Sequence, residues 1–327
     1  MGRRRQNRLD LPPRMHLRSG TYYYVTSTMP RQWIRLGQQP DAARRKWAEL
    51  EKGNSCSTSL ASMIDEWTRT EAYTGLALNT QRIYKSAIKQ LVAVFEEFPS
   101  VADIKPHHVA AWLDEHDSRV MANTGKSILS NVLSIAVRRG LIDRNPAKEV
   151  DNLSVKRRTR YLTDEEYLAI RSAAHPVLAA TMDLSYATSG RIGDIIDIRL
   201  SHISPEGLLI RQEKTDKLQL FSRNPVLDKA LENARAIKRS VRGLFLLCTE
   251  RGKKYQYAVL NRMWIEARTA AGIKDAQFRD IRAKSATDAK RGGQDYQALL
   301  GHSTKTMSDT YIKLEDAQVV EPQKRSL

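Results

Sequence analysis

Apolar residues recur every three or four positions in four stretches between residues 61 and 150, a spacing that places them on one face of an α-helix. The first stretch carries Leu60, Met63, Ile64 and Trp67. Pro106 stands at a first-turn position before the third stretch, and Asn145-Pro146 follows the fourth. Amphipathic helices of this kind bury their apolar faces against one another, so the sequence predicts a four-helix bundle over residues 61–150.

Upstream of the bundle, residues 1–53 alternate in the manner of short β-strands. The turn signals Ser19-Gly20 and Met29-Pro30 separate three such runs, residues 15–18, 22–26 and 32–36. Asp41 can cap a helix over residues 42–51 that covers one face of the sheet. We therefore predict a small three-stranded N-terminal domain with Tyr22 and Tyr24 on its free face. Residues 54–60 are small and polar, which predicts a linker.

Helix and strand patterns are mixed downstream of residue 150. Residues 151–160 form a basic connector, and Thr163 and Glu166 have the spacing of a capping box at a helix start. Two alternating runs, residues 207–212 and 218–222, flank a turn region that carries Lys214 and predict a β-hairpin. The expected fold class is a multidomain protein, mainly α with α+β parts. Its third domain is mixed α/β over residues 161–311, and residues 312–327 form a tail.

The charge balance adds a partner to this picture. The chain has 54 Lys and Arg against 37 Asp and Glu, a net charge of +17 with a pI near 9.9. Such a balance indicates a polyanionic partner, with nucleic acid favoured over an anionic membrane. No run of about 18 apolar residues occurs, so a membrane-spanning helix is not expected. Cys56 and Cys248 are too few for a disulfide framework, and we expect reduced thiols.

Basic and aromatic residues in all three domains are the expected DNA contacts. They are Arg3, Arg4, Arg5, Tyr22, Tyr24, Lys85, Lys89, Lys126, Arg157 and Arg158. Two alternatives stay open, a solvated basic tail over residues 1–11 and plain solubilising charge on the helices. A basic connector such as 151–160 can also be an exposed hinge.

The end of the chain suggests phosphate chemistry. Tyr311 follows the run Leu300-Gly301-His302, but a free tyrosine is a poor nucleophile with a pKa of about 10. An attack on a DNA phosphate needs fixed cations at the non-bridging oxygens and a proton donor for the leaving oxygen. Arginine suits the first task, because its planar fork binds phosphate at two points and keeps its proton. Upstream cations in a suitable order are Arg191 after Ser189-Gly190, Lys214, and the pair Arg279 and Arg282.

Each of these residues alone is more often a surface charge, a capped helix end or a core side chain. Their order and spacing together resemble the tyrosine recombinase family, and within it the integrases of phage lambda and its relatives. The resemblance covers nearly the whole chain, from the opening Met1-Gly2-Arg3-Arg4-Arg5 to the box that holds Tyr311. It includes Ser189-Gly190-Arg191 with Asp194, and Lys214-Thr215 in a hairpin.

The resemblance implies a role for each residue. Arg191 and Arg282 clamp the scissile phosphate, and Lys214 is the general acid toward the 5′ oxygen. His302 donates a hydrogen bond to a phosphate oxygen and assists proton transfer. Tyr311 forms a 3′-phosphotyrosyl link that conserves the bond energy, so no ATP is expected. Asp194 orients backbone and arginine groups without taking part in the chemistry.

One position departs from the family pattern. The box that usually reads His-x-x-Arg is here Arg279-Asp280-Ile281-Arg282. Arginine still binds phosphate but is no base near neutral pH. Proton removal from Tyr311 then falls to His302, to a water or to the phosphate itself. Tyr296 is a rival nucleophile, but it precedes His302 and so stands in the wrong order.

The function implied by the resemblance is that of a phage integrase, which inserts and excises a prophage by site-specific recombination. The implied partners are double-stranded DNA at core-type and arm-type sites, a host DNA-bending protein such as integration host factor, and a phage excisionase. A homotetramer on DNA is also implied, with the tails at 312–327 packing in trans. No metal, nucleotide cofactor or membrane is expected, and the implied location is the cytoplasm of a bacterial host, at the nucleoid.

Two other functions stay open. One is a tyrosine recombinase that resolves plasmid or chromosome dimers, and the basic domain at residues 1–53 argues against it. The other is a DNA-binding regulator that kept the fold without the catalysis. The complete set of Arg191, Lys214, Arg282, His302 and Tyr311 argues against that function.

Overall fold

A computed structural model describes residues 11–12, 14–26, 31–241 and 243–313, with backbone alone at residues 51–57. Arg3, Arg4 and Arg5 lie outside the described residues, as do Cys56 in its side chain and the tail beyond Lys313. The chain divides into two compact units, and the boundary falls between Lys156 and Arg157. In the described ranges, no helix combines the length and the apolar character that crossing a bilayer requires.

The first unit begins with a three-stranded antiparallel sheet in the order β1–β2–β3. Its strands are β1 (Met15–Arg18), β2 (Thr21–Val25) and β3 (Trp33–Gly37), and helix α1 (Pro40–Thr58) follows them. Ser19 and Gly20 take positive φ angles of 46° and 73° in the two-residue turn between β1 and β2. Such turns match the twist of the strands they join. The predicted three-stranded sheet with a covering helix is confirmed.

The prediction that Tyr22 and Tyr24 lie on the free face of this sheet was wrong. Tyr24 is 2% exposed and packs in a small core with Met15, Leu36 and Ala43 of α1. Tyr22 is half-buried against the same core. Tyr22 and Tyr24 share the face that α1 covers, as the alternation of β2 requires, and Tyr23 lies on the opposite face. The pairing shifts beside Tyr22 and Tyr23 because β3 has an extra residue, Leu36, between the partners Arg35 and Gly37.

The outer face instead carries a second aromatic and basic group. The Trp33 ring lies 6.0 Å from that of Tyr23, and the Arg18 guanidinium carbon lies 4.3 Å from the centre of the indole. The His16 ring is 5.4 Å from the same indole. The side chains that a DNA backbone could meet on this sheet are therefore these, rather than Tyr24.

Helix α1 also differs from the prediction at both ends. It begins at Pro40, a favoured first-turn residue, and Asp41 lies inside the first turn without capping it. It continues past Glu51 to Thr58, through most of the stretch predicted as the 54–60 linker. Small polar residues lower helix propensity by only roughly half a kcal/mol each, and no proline interrupts the run.

The helical bundle completes the first unit. Its helices are α2 (Leu60–Thr68), α3 (Glu71–Thr74), α4 (Leu78–Phe95), α5 (Pro106–Glu115) and α6 (Arg119–Arg138). Because α3 is a single turn, four longer helices enclose the core, as predicted. A Cβ at Gly125 would lie 2.7 Å from the Trp112 ring, so α5 and α6 approach closely at this glycine. Lys85 and Lys89 are exposed on α4, and Lys126 donates to Oδ1 of Asn152 at 2.9 Å.

The second unit mixes helices with one β-hairpin. Its elements are α7 (Asp164–Ala173), α8 (Pro176–Thr188), α9 (Ile192–Ile196), β4 (Gly207–Arg211), β5 (Leu218–Ser222), α10 (Pro225–Ala236), α11 (Tyr257–Ala270), α12 (Arg279–Arg291), α13 (Tyr296–Leu300) and α14 (Lys305–Asp309). Thr163 and Glu166 exchange hydrogen bonds of 3.1 and 3.2 Å at the start of α7, so the predicted capping box is confirmed.

Helix α8 lies between the two apolar clusters of this unit. Leu184 packs with the hairpin and α10, whereas Met182 packs with α7, α11 and α12. A helix enclosed on both sides is held firmly, and its C-terminal end therefore fixes the segment that follows. That segment contains Arg191, and the neighbouring α12 contains Arg279 and Arg282.

Candidate active site

Arg282 is the most buried cation of the site, with a side chain 4% exposed on α12. It donates hydrogen bonds to the carbonyls of Ser189 and Leu300, the latter at 2.8 Å, and to Nε2 of His302 at 3.2 Å. Its Nε is buried without a hydrogen-bond partner among the described residues. Burial, followed by the charge of Arg191, lowers the pKa of Arg282 to about 10, which still leaves it charged near neutral pH. A buried cation with an unused donor is suited to an anionic ligand.

Arg191 follows the C-terminal end of α8 and is the N-cap of α9. Ser189 has a left-handed φ of 49°, and a Cβ at Gly190 would lie 2.5 Å from Cδ1 of Ile195. This tight turn directs Arg191 out of α8 toward the groove that Arg282 also lines. The Ser189-Gly190 pair therefore precedes the arginine because the turn needs a left-handed residue followed by one without a side chain.

Asp194 connects Arg191 with the hairpin. Its side chain is 4% exposed, and Oδ2 lies 3.8 Å from Nη1 of Arg191. Its Oδ1 accepts a hydrogen bond from the backbone N–H of Glu213 at 3.0 Å. Asp194 thus touches an arginine and the turn that carries Lys214, which is the geometry of a supporting residue.

His302 follows the helix end at Gly301. Gly301 has a φ of +71°, and a Cβ there would lie 2.4 Å from Nε2 of Gln212, so both conformation and space require glycine. The His302 side chain is buried, and its pKa is lowered to about 4 by burial and by the charges of Arg282, Arg191 and Lys217. The imidazole is therefore neutral near pH 7.

Tyr311 lies against both groups. The centre of its ring is 5.2 Å from that of His302 and 5.2 Å from the guanidinium carbon of Arg282. Thr287, on α12, donates to the Tyr311 carbonyl at 3.4 Å and accepts from the Lys313 N–H at 3.0 Å. The helix that carries Arg282 therefore also holds the backbone that follows the tyrosine.

Gln212 is a residue of this site that the sequence reasoning missed. It is 3% exposed at the end of β4. Its Oε1 accepts from Nη1 of Arg191 at 3.0 Å, and its Nε2 donates to the carbonyl of Leu300 at 3.1 Å. It thereby joins the arginine turn to the Leu-Gly-His turn. Its position two residues before Lys214 was the available signal, but its partners are far away in the sequence.

Two predicted or rival residues lie away from this cluster. Lys214 is exposed in the hairpin turn and, within the described part of the chain, makes no hydrogen bond or ion pair. Lys217, in the same turn, is exposed as well, yet its charge contributes to the low pKa of His302. Tyr296 donates to Oδ1 of Asp309 at 2.6 Å, and it does not line the groove that Tyr311 lines.

A groove of about 890 Å³ brings Tyr311 together with Arg191, Arg279 and Arg282, three of the cations predicted for catalysis. The basic residues along it are Arg157, Arg158, Arg191, Arg268, Arg279, Arg282 and Lys313. Arg279 is exposed at its rim, one helical turn from Arg282 on α12. Lining of this composition favours a polyanion such as a nucleic acid backbone.

Arg158 differs from the other cations of the groove because it is hydrogen-bonded to two carboxylates, those of Asp280 and Asp275. It donates to both carboxylate oxygens of Asp280, at 2.9 and 2.8 Å, and to Oδ1 of Asp275 at 2.9 Å. The hydrogen bonds to Asp280 are the main reason that the pKa of Arg158 is raised. The backbone carbonyl of Arg158 accepts from Nζ of Lys313. Arg157, next to it, is exposed.

The arrangement can stabilise negative charge beside a tyrosine. Arg191 and Arg282 supply fixed positive charge, a neutral imidazole lies against the phenol, and Arg279 extends the charge along the groove. Charge that builds on a pentavalent phosphate is stabilised by fixed donors of this kind. In the described residues, no three His, Cys, Asp or Glu side chains are grouped so that they could hold a metal ion.

The chain is similar over part of its length to a known family. Residues 160–318 match the model of the phage integrase family. The integrase of Enterobacteria phage 434 is 26% identical over 350 aligned positions, which cover 95% of this chain and 96% of that protein. The integrase of Escherichia phage lambda is 25% identical, with the same coverage of 95% and 96%.

Solved structures share the fold over nearly the whole chain. One is a lambda integrase dimer bound to a COC′ core site, with a TM-score of 0.71 and 23% identity over 98% of this chain and 100% of that one. Another is a lambda integrase tetramer bound to a Holliday junction, with a TM-score of 0.69 and 23% identity over 97% of this chain and 100% of that one. The predicted fold class, with its three-stranded sheet, bundle and mixed catalytic domain, is thereby confirmed.

Proposed function

This chain belongs to the phage integrase family of tyrosine recombinases, and we propose that it integrates and excises a prophage by cutting and rejoining DNA through Tyr311. The observation that carries the proposal is that Arg191, Arg282 and Tyr311 line one basic groove and that His302 is buried against Arg282 and Tyr311. Arg191 is distant in sequence from Arg282, His302 and Tyr311, and the fold brings the four together. A fold kept only for DNA binding has no need of a tyrosine held between a buried arginine and a buried imidazole.

In the proposed reaction, the scissile phosphate binds with its non-bridging oxygens at Arg191 and Arg282. The Tyr311 oxygen attacks phosphorus, its proton passes to His302, to water or to the phosphate, and the bond to the 5′ oxygen breaks. Lys214 supplies the proton to that oxygen. The 3′-phosphotyrosyl link keeps the energy of the broken bond, so a 5′ hydroxyl of another strand can reverse the step. Fixed cations supply the charge that a metal or nucleotide would otherwise supply, so we propose neither as a cofactor.

The proposed partner is double-stranded DNA at two kinds of attachment site. The second unit and the helical bundle would bind core-type sites, and the small sheet would bind arm-type sites. The net charge of +17 and the basic groove support this partner. Lambda integrase structures bound to a core site and, as a tetramer, to a Holliday junction support a homotetramer on DNA.

Several finer proposals rest on the family alone. They are a host DNA-bending protein such as integration host factor, a phage excisionase, exchange of the 312–327 tail between protomers, and action at the nucleoid in the cytoplasm of a bacterial host. Resolution of plasmid or chromosome dimers is the second candidate function. The sheet of residues 15–37 with its outer His16, Tyr23 and Trp33 favours integration, because it offers a second DNA-binding surface.

Covalent trapping tests the proposal. A pool of nicked duplexes with randomised sequence around the nick is incubated with the full chain, and the reaction is stopped with detergent. The nick lets the short cleaved strand diffuse away, so adducts accumulate and select the cleavable sequences. We expect an adduct with the wild type and with Tyr296→Phe, and none with Tyr311→Phe. Equal adducts from the wild type and Tyr311→Phe would sink the assignment of Tyr311.

A further inference from the structure

Ser308 is a buried hydroxyl beside the one imidazole of the site. It lies on α14, it has no exposed surface, and its Oγ is 3.2 Å from Nδ1 of His302. Its Oγ is also 3.4 Å from the carbonyl of Thr304. None of the motifs that indicated the catalytic set includes this serine.

The partners of His302 determine which nitrogen carries its proton. A guanidinium has N–H donors and no acceptor. Since Nη2 of Arg282 lies 3.2 Å from Nε2 of His302, that nitrogen must accept. A neutral imidazole with an accepting Nε2 carries its hydrogen on Nδ1.

The hydroxyl completes a consistent chain of donors. The Nδ1–H of His302 donates to Oγ of Ser308, and the Ser308 O–H is directed to the Thr304 carbonyl. Each hydrogen bond that links Arg282, His302, Ser308 and Thr304 then has one donor and one acceptor. The opposite tautomer would direct two N–H groups, one from Arg282 and one from His302, at each other.

We propose that Ser308 is a positioning residue that holds His302 in its Nδ1–H tautomer and so reserves Nε2 for proton transfer at Tyr311. The inference rests on the proposed function. When a phosphate enters, Arg282 turns its N–H groups to the anion and releases Nε2. The phenolic proton of Tyr311 then passes to Nε2 as the O–P bond forms, which gives a phosphotyrosine and an imidazolium, and the proton returns in the reverse step.

A serine is suited to this position because of the surrounding charge. His302 faces Arg282 on α12, Arg191 before α9, Lys217 in the hairpin and the phenol of Tyr311. A hydroxyl can fix the tautomer without adding a charge. A carboxylate would favour the imidazolium, whose Nε2 already carries a proton and so could not accept one from Tyr311. With Arg279 in place of the usual histidine, His302 is the one imidazole whose tautomer matters here.

The first test reads the tautomer directly in the full chain without DNA. The protein is labelled with ¹⁵N-histidine, and the His302 resonances are assigned by their loss in His302→Gln. We expect a protonated Nδ1 and an unprotonated Nε2 in the wild type, and a mixture of tautomers in Ser308→Ala. A protonated Nε2 in the neutral wild-type imidazole would overturn the proposal.

The second test measures the rate of adduct formation with DNA duplexes recovered by trapping. Ser308→Ala is expected to slow cleavage about 10- to 100-fold, by analogy with metal-ligating histidines that lose the partner that orients the ring. Ser308→Thr keeps the hydroxyl and should retain most of the rate. Ser303→Ala, at an exposed serine of the same segment, should match the wild type.

The pH dependence separates positioning from a merely structural effect. Ser308→Ala should change the low-pH limb of the cleavage profile, while DNA affinity and the thermal midpoint stay near wild type. A Ser308→Ala variant with the wild-type rate and profile would refute the role. A wild type that forms no adduct at all would refute the proposed function, and the tautomer of the free protein would still be decided by the spectrum.

Discussion

Arg158 and Asp280 form a two-point ion pair that joins the start of the second unit to the catalytic helix. Nε and Nη2 of the arginine lie 2.9 and 2.8 Å from the two carboxylate oxygens. Asp280 is 4% exposed and stands between Arg279 and Arg282 on α12. The pair therefore anchors the first turn of the helix whose arginines line the groove.

Removal of Arg158 should destabilise the protein. Arg158→Ala leaves a buried carboxylate that keeps a hydrogen bond from the Gln277 N–H and the nearby charge of Lys313. Removal of one partner from a buried pair costs about 3–5 kcal/mol, and the 23% exposure of Arg158 places the expected loss nearer 2 kcal/mol. Thermal unfolding of the full chain measures it. A midpoint equal to that of the wild type would show that the pair adds no stability.

The substitution Arg157→Ala is the matched control for Arg158→Ala. Arg157 is exposed on the groove, so Arg157→Ala should change stability by less than about 0.5 kcal/mol. DNA affinity should fall, and the slope of log affinity against log salt should decrease by about 0.9 for one lost phosphate contact. Equilibrium binding to duplex DNA at several salt concentrations measures both. An unchanged slope would place Arg157 away from the phosphates.

How far the sequence could predict this site depends on the range of each interaction. Arg191, Arg282, His302 and Tyr311 stand in short motifs whose turns are local, and the structure brings all four together. Gln212 and Arg158 act through partners 88 and 122 residues away, so no local pattern identifies them. Arg158 consequently looked like another DNA contact in the sequence.

The N-terminal sheet shows a different limit. Period-two alternation predicted the strands correctly, but it does not say which face a helix covers. Helix α1 covers the face of Tyr22 and Tyr24, where Ala43 packs in the same cluster, so Tyr24 belongs to the core. Tyr24 and Tyr23 are neighbours in the sequence but lie on opposite faces of the sheet, so their mutation is expected to have different effects.

Tyr24→Ala and Tyr23→Ala should separate stability from binding. Tyr24 is 2% exposed, so its truncation should cost about 3 kcal/mol or more, as for other buried aromatic residues. Tyr23 is half-buried on the outer face beside Trp33, and its truncation should weaken DNA binding with a smaller effect on folding. Thermal unfolding and DNA binding are measured for both variants. The reverse pattern would mean that Tyr24 lies on the binding face.

His302 should titrate well below the ordinary histidine pKa of about 6.5 in the DNA-free protein. Burial and the charges of Arg282, Arg191 and Lys217 lower its pKa to about 4. Between these two values the unfolded chain binds the proton and the native protein does not, so this group's contribution to stability is complete above about pH 6.5 and is lost as the pH falls toward 4. His302→Gln should remove this part of the pH dependence.

Bound DNA should reverse the shift. A phosphate between Arg191 and Arg282 brings negative charge to the imidazole and favours its protonated form. In Tyr311→Phe, which cannot cleave, the pKa of His302 is therefore expected to rise when duplex DNA binds. Histidine resonances followed through a pH titration give both values. A pKa that is unchanged by DNA would place the phosphate away from His302.

The proton donor to the leaving oxygen can be identified by changing the leaving group. A bridging sulfur at the 5′ position leaves as a thiolate, whose thiol has a pKa of only about 8.5, so it needs no general acid. The substitution Lys214→Ala should slow cleavage of an ordinary phosphodiester by about 10²- to 10⁴-fold. The same variant should cleave the sulfur substrate at a rate near that of the wild type. Lys217→Ala is the matched control, because both lysines are exposed in the same hairpin turn. If the sulfur substrate rescues Lys217→Ala and leaves Lys214→Ala slow, the general acid is Lys217, the lysine whose charge already reaches His302.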